Sequence, residues 1–144
     1  MSGGTGGGRV AWALLSSSAA VADIVGTRIE PLRLSEGVAV PAVSFRSISR
    51  RVRETVSNAE TVIRTVERIE VTGHVSADNY PQLGRLMSAI YAAMAHKRHE
   101  SLAGVTQVSV IEPNEGPELR DDTTNVITRS IDFMVHFNEV RPTA

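Results

Sequence analysis

The stretch from Asn125 to Val140 constrains this chain most. Ile127, Ile131, Phe133, Val135 and Phe137 fall at alternate positions, and Val126, Thr128, Ser130, Asp132, Met134, His136 and Asn138 fill the places between. A repeat of two is the signature of a β-strand with one oily face and one mostly polar face. Arg129 is the exception on the oily side. Such a strand cannot stand alone; it needs partner strands and a layer to cover its apolar face.

The remaining sequence offers both. Ser2 to Gly8 is glycine-rich and is expected to be disordered, since nothing in it offsets the entropy of ordering. It lacks the Gly-Lys-Ser/Thr ending of a phosphate loop. Arg9 to Val25 reads as one helix with an imperfect stripe of Val10, Leu14, Val21, Ile24 and Val25, stopped at Gly26. Thr27 to Val40 is a connector. Pro41 introduces a strand, Ala42 to Ile48, with Val43, Phe45 and Ser47 on one side and Arg46 and Ile48 on the other. A second strand, Val62 to Gly73, sets Ile63, Ile69 and Val71 against Arg64, Arg68, Glu70 and Thr72, with Val66 among the latter. Between the two lies Ser49 to Thr61, read as a hairpin arm that turns at Ser57 and Asn58.

Asn79 and Gln82 fit a capping box, and Pro81 suits a first helical turn. Leu83, Leu86, Met87, Ile90 and Met94 then form a core-facing helical stripe that ends near Lys97 and Arg98. A short strand, Val105 to Ile111, contributes Val108 and Val110. An acidic, turn-forming loop from Glu112 to Thr124 precedes the last strand. The expected architecture is α+β: a four-stranded, mostly antiparallel sheet in the order α-β-β-α-β-β, covered on one face by helices, forming one domain over residues 9–140 with a short tail at 141–144.

Composition narrows the chemistry. Lys and Arg number 15 against 16 Asp and Glu, which disfavours a polyanion-coating role without excluding a local basic patch. Aromatic residues make up 4 %, low for stacking on single-stranded bases. There is no cysteine, so disulfides, thiolate zinc sites and cysteine nucleophiles are excluded. No run reaches the length of a membrane span. The apolar run after Arg9 stops at Ser16, Ser17 and Ser18 and suits a helix face better than a cleaved signal.

Candidate sites are few. His96 and His99 share a helix face if the helix continues, but a metal needs a further convergent ligand. His136 reads as a surface or interface residue. Glu112, Glu115, Glu118, Asp121 and Asp122 do not follow a calcium-loop spacing and read as a solvated loop. No serine sits in a nucleophile elbow. No catalytic residue, metal or cofactor is expected. Arg46, Arg50, Arg51 and Arg53 are the densest positive patch, open to phosphate contact or to ion pairs with a neighbouring subunit.

In this order the elements resemble the tail-completion, or tail-terminator, proteins of long-tailed bacterial viruses and gene transfer agents. The resemblance rests on Ile24-Val25-Gly26-Thr27-Arg28-Ile29-Glu30-Pro31 after the first helix, Val40-Pro41-Ala42-Val43-Ser44-Phe45 at the first strand, Arg68-Ile69-Glu70-Val71, the Asn79 to Ala95 helix, and Arg129-Ser130-Ile131-Asp132-Phe133-Met134-Val135. It implies a non-enzymatic virion protein, a ring of about six copies that caps the head-proximal end of the tail tube. The implied partners are further copies of the chain, the tail tube protein and a head–tail connector or stopper, with non-specific contact to DNA passing through the ring and no membrane. Arg46, Arg50, Arg51, Arg53, Arg64, Glu67, Arg68 and Glu70 are the residues expected at subunit or tube interfaces. Another neck or tube protein, a nucleic-acid-binding module using Arg46 to Arg53, and a small enzyme or ligand-binding domain of ferredoxin-like type are the competing expectations.

Overall fold

The computed structural model describes residues 4–53 and 61–140. The elements run α1 (Gly6–Ser16), α2 (Ala19–Val25), β1 (Ile29–Pro31), β2 (Ala42–Arg53), β3 (Val62–Ser76), a 3-10 turn (Ala77–Asn79), α3 (Pro81–Met94), β4 (Arg98–Leu102), β5 (Val105–Glu115), β6 (Leu119–Asp121) and β7 (Val126–Val140). All seven strands join one sheet in the order β1-β2-β3-β7-β5-β4, with β6 also paired to β7. The sheet is strongly curled into a half-barrel, and the helices pack on one of its faces. This corrects the expected four-stranded sheet. Three short strands escaped the reading because each is only 3 to 5 residues long and carries no alternating pattern.

The long strand read first is β7, and it is the hub of the sheet. It pairs along its whole length with β3, from Val62↔Val140 to Ser76↔Val126, and on its other side with β5 and β6. Ile127, Ile131, Phe133, Val135 and Phe137 are buried beneath the helices. Val43, Phe45, Ile69, Val71, Val108 and Val110 meet them from the neighbouring strands. From the helices come Leu14, Leu83, Leu86, Met87 and Ile90, while Ile24 is only half-buried. Burying a side chain of this size contributes about 1.5–3 kcal/mol, so this one apolar face dominates the fold.

The first helix differs from expectation at both ends. It begins at Gly6, within the stretch expected to be disordered, and Gly6, Gly7 and Gly8 are buried. It then breaks at the serines. The Ser17 hydroxyl donates to the Ala13 carbonyl at 2.6 Å, and Ser18 Oγ accepts from Val21 N–H at 3.3 Å to start α2. Serines that bond their own backbone end one helix and cap the next, and the two axes are bent by 79°. No single helix among the described residues is long and apolar enough to cross a membrane.

At α3, proline stands at the first helical position as expected, but no side chain caps the start; Ser76 instead caps the preceding 3-10 turn. The helix ends at Met94, so Lys97 lies beyond it and Arg98 opens β4. The β4–β5 hairpin turns through Ala103 (φ 54°) and Gly104 (φ 84°), two successive left-handed residues that match the twist of the flanking strands. The supposed acidic loop is largely sheet, since β5 runs to Glu115 and β6 begins at Leu119. The turn expected at Ser57 and Asn58 lies outside the described residues.

Candidate functional site

Parity along the strands sorts the charged residues expected at interfaces into two groups. On β3, Ile63, Thr65, Glu67, Ile69, Val71, Gly73 and Val75 are buried, and the residues between them face outward. Glu67 therefore belongs with Ile69, and its exposure is 0 %. Its carboxyl group receives the Gly7 N–H on Oε1 at 3.0 Å and the Thr5 hydroxyl on Oε2. Thr5 Oγ1 in turn accepts the Gly8 N–H at 3.1 Å. A helix start leaves its first N–H groups without partners and attracts negative charge, so Glu67 and Thr5 together complete α1 against the sheet.

The glycines make that approach feasible. A Cβ on Gly7 would stand 2.8 Å from Glu67 Cδ, and one on Gly6 would stand 2.6 Å from the Phe137 ring. Glu67 is thus a fixture of the interior and cannot meet a neighbouring subunit, which corrects its place in the expected interface set. The signal was present in the sequence: Glu67 is two positions from Ile69 and shares its face.

The arginine patch is divided by a bulge. The β2–β3 register runs Ser47↔Ile69 and then Ser49↔Arg68, leaving Ile48 over. An extra residue reverses which side chains face out. Arg46 lies on the outer face opposite Glu70; beyond the bulge Arg51 and Arg53 are outward, while Arg50 shares the helix-side face with Glu67. Arg50 pairs there with Glu139, which also accepts the Thr65 hydroxyl at 2.9 Å. The four arginines adjacent in sequence are thus not one patch.

On the outer face, Glu70 and Asp132 are direct cross-strand partners. Like charges in that position repel. Arg46 Nε donates to Glu70 at 2.8 Å, and Arg68 Nε donates to Asp132 at 2.8 Å, which neutralises both. Thr72 and Ser130 are hydrogen-bonded at 2.7 Å one row further on, and Ser44 Oγ lies 2.8 Å from His74 Nε2. Burial lowers the His74 pKa from 6.5 to about 4. His136, on the same face, is also lowered, first by desolvation and then by the nearby Arg64 guanidinium.

Arg129 finds its explanation at the far end of β7. Its Nε donates to the Gly116 carbonyl at 2.8 Å, and its guanidinium lies 3.2 Å from Glu115 and 3.7 Å from Glu118. It closes one side of a groove of about 500 Å³ that Tyr80, Met87 and Tyr91 also line. The Tyr80 hydroxyl donates to Glu118, and that bond raises its pKa. His96 and His99 do not share a helix face: His96 follows α3 with φ 59°, and His99 lies in β4.

Among the described residues, no group of three or more His, Asp or Glu side chains could hold a metal ion. The sheet is thus covered by helices on one side and carries paired charges, Arg46 with Glu70 and Arg68 with Asp132, on the other. The solved structures agree on the fold: the chain is similar to a component chain in the virion of a native gene transfer agent particle, with a TM-score of 0.61 at 12 % identity, over 90 % of this chain and 92 % of that one. No protein-family model and no curated sequence matches.

Proposed function

We propose that this chain is a tail-terminator subunit of a virus-like particle. Copies close into a ring of about six that caps the head-proximal end of a tail tube, ends its growth and presents its other face to the connector or stopper. The ring is assembled in the bacterial host cytoplasm and stays in the virion at the top of the tail. The observation that carries the reading is the likeness in fold to a gene-transfer-agent virion chain over nearly the full length of both. The order of sequence motifs from Ile24 to Val135 supports it independently. Arg46, Arg68 and Glu70 lie on the outer face, where a neighbouring subunit or the tube can meet them.

A closed ring uses up its own lateral surfaces, and its two unlike faces can hold two unlike partners. The test is absolute mass by light scattering during size exclusion, with negative-stain images, followed by mixing with tail tubes. Discrete rings, or capping of tubes at one end, are the expected results. Long tubes formed by the chain itself would instead make it a tube subunit. A monomer that fails to cap tubes would overturn the proposal.

A further inference from the structure

The outer face is not uniform along its strands. The registers align Arg51, Val66, His136, Ser109 and Arg98 in one row across β2, β3, β7, β5 and β4. The row beside it, toward the β2–β3 hairpin, aligns Arg53, Arg64, Asn138 and Thr106. Neighbouring strands are roughly 4.8 Å apart, so the first row spans about 19 Å. Arg64 and Arg98 line an open cavity of about 740 Å³ together with His99, Gln107, Ser109 and Asn138, and one carboxylate, Glu100. Arg64 is held in place by donating to the Gln107 carbonyl at 2.8 Å and to Asn138 Oδ1 at 3.2 Å.

We infer that this cavity and the band across it bind the phosphate backbone of duplex DNA. Among the described residues Arg64 is fixed by neutral acceptors and pairs with no carboxylate, and further N–H donors remain for a ligand. Arg46 and Arg68, one zone away on the same face, are already matched by Glu70 and Asp132. Glu100 in the cavity and Glu112 beside His136 offset two of the four arginines Arg51, Arg53, Arg64 and Arg98, so the band keeps a net positive charge where its surroundings are balanced. Its span of about 19 Å, followed along the curled sheet, corresponds to about six phosphates of one strand along the duplex axis. None of the residues in the two rows is Phe, Tyr or Trp, so the large aromatic platforms favoured by single-stranded bases are missing from them. Contact limited to phosphates positions DNA without reading its sequence.

The inference does not depend on ring closure, because each subunit carries the band by itself. Glu54 and Glu60 lie outside the described residues, so the full chain is the form to test. Fluorescence anisotropy with a short labelled duplex, repeated over a range of salt, reads both affinity and the number of phosphate contacts. Arg53→Gln with Arg98→Gln should weaken binding about tenfold or more at low salt and reduce the salt slope by about 2. Arg33→Gln with Arg120→Gln, exposed arginines at the other end of the molecule, should leave the slope unchanged. If the first pair fails to fold by circular dichroism, Arg51→Gln with Arg98→Gln probes the first row of the same band.

The inference is overturned if the wild-type chain shows no binding at low salt, if both pairs weaken it equally, or if a single strand binds more tightly than the duplex. Salt-sensitive self-association that disappears in the first pair, without DNA binding, would assign the band to a second copy and also overturn it.

Discussion

Glu67 and Glu70 lie on one strand, on opposite faces of the sheet, and they live in different solvents. Glu67 is sealed under the start of α1, where Gly7 N–H and the Thr5 hydroxyl supply its hydrogen bonds. Glu70 stands on the outer face beside Asp132 and is matched by Arg46, whose side chain is 54 % exposed. The same carboxyl group is a structural joint in one place and a solvated member of a charge ladder in the other. What separates them is strand parity together with the helix that happens to arrive on one side. Charged residues on this sheet therefore cannot be assigned to an interface by type alone.

The sharpest contrast between the faces should come from volume. Phe133 is fully buried at the centre of β7, so Phe133→Ala should cost about 3–5 kcal/mol in chemical denaturation. A loss below about 1 kcal/mol would show that the helix layer is not packed as described.

Next in size is the joint itself. Glu67→Ala leaves the Gly7 N–H buried and without its acceptor, and should cost about 2–3 kcal/mol. Gly7→Ala drives a methyl group against Glu67 and should cost about 1–3 kcal/mol. Hydrogen exchange at the first turn of α1 should accelerate in both. Unchanged exchange there would mean that Glu67 does not hold the helix.

The pH dependence tests the buried end of the outer face. His74 has its pKa lowered from 6.5 to about 4, so the folded chain resists a proton that the unfolded chain accepts. Its contribution to stability is fully present above pH 6.5 and is lost as pH falls through that value toward 4. His136 shifts in the same direction and adds to the loss. Thermal melts across that window should show a falling melting temperature, and His74→Asn should flatten part of the slope. An unaltered slope in that variant would remove His74 as the cause.

The smallest effect should come from the exposed ladder. Arg68→Ala removes an ion pair whose arginine side chain is 45 % exposed, and should cost less than about 1 kcal/mol. High salt should narrow the difference further. A cost equal to that of Glu67→Ala would erase the distinction between the faces.

Much of the sheet was legible because burial on one face imposes a period of two. In β7 and β3 that period is long enough to read, and the residues at alternate positions do lie under the helices. The α3 stripe was legible for the equivalent reason at helical spacing. The short strands β1, β4 and β6 carried no such pattern; neighbours that already form a sheet recruit them through backbone hydrogen bonds, which leave no trace in side-chain order. The arginine patch misled for a related reason, since the bulge at Ile48 is a backbone event that nothing in Arg46 to Arg53 announces.

The sequence by itself determined the long strands, the main helix and the absence of cysteine chemistry, because local periodicity and composition are properties of the chain. Only the tertiary structure decided that the glycines after Thr5 begin a helix, that Glu67 closes it, and that Arg51, Arg64, His136 and Arg98 share one band. Those facts depend on register and close approach between segments far apart in sequence, where a single slipped residue or one added methyl group reverses the outcome.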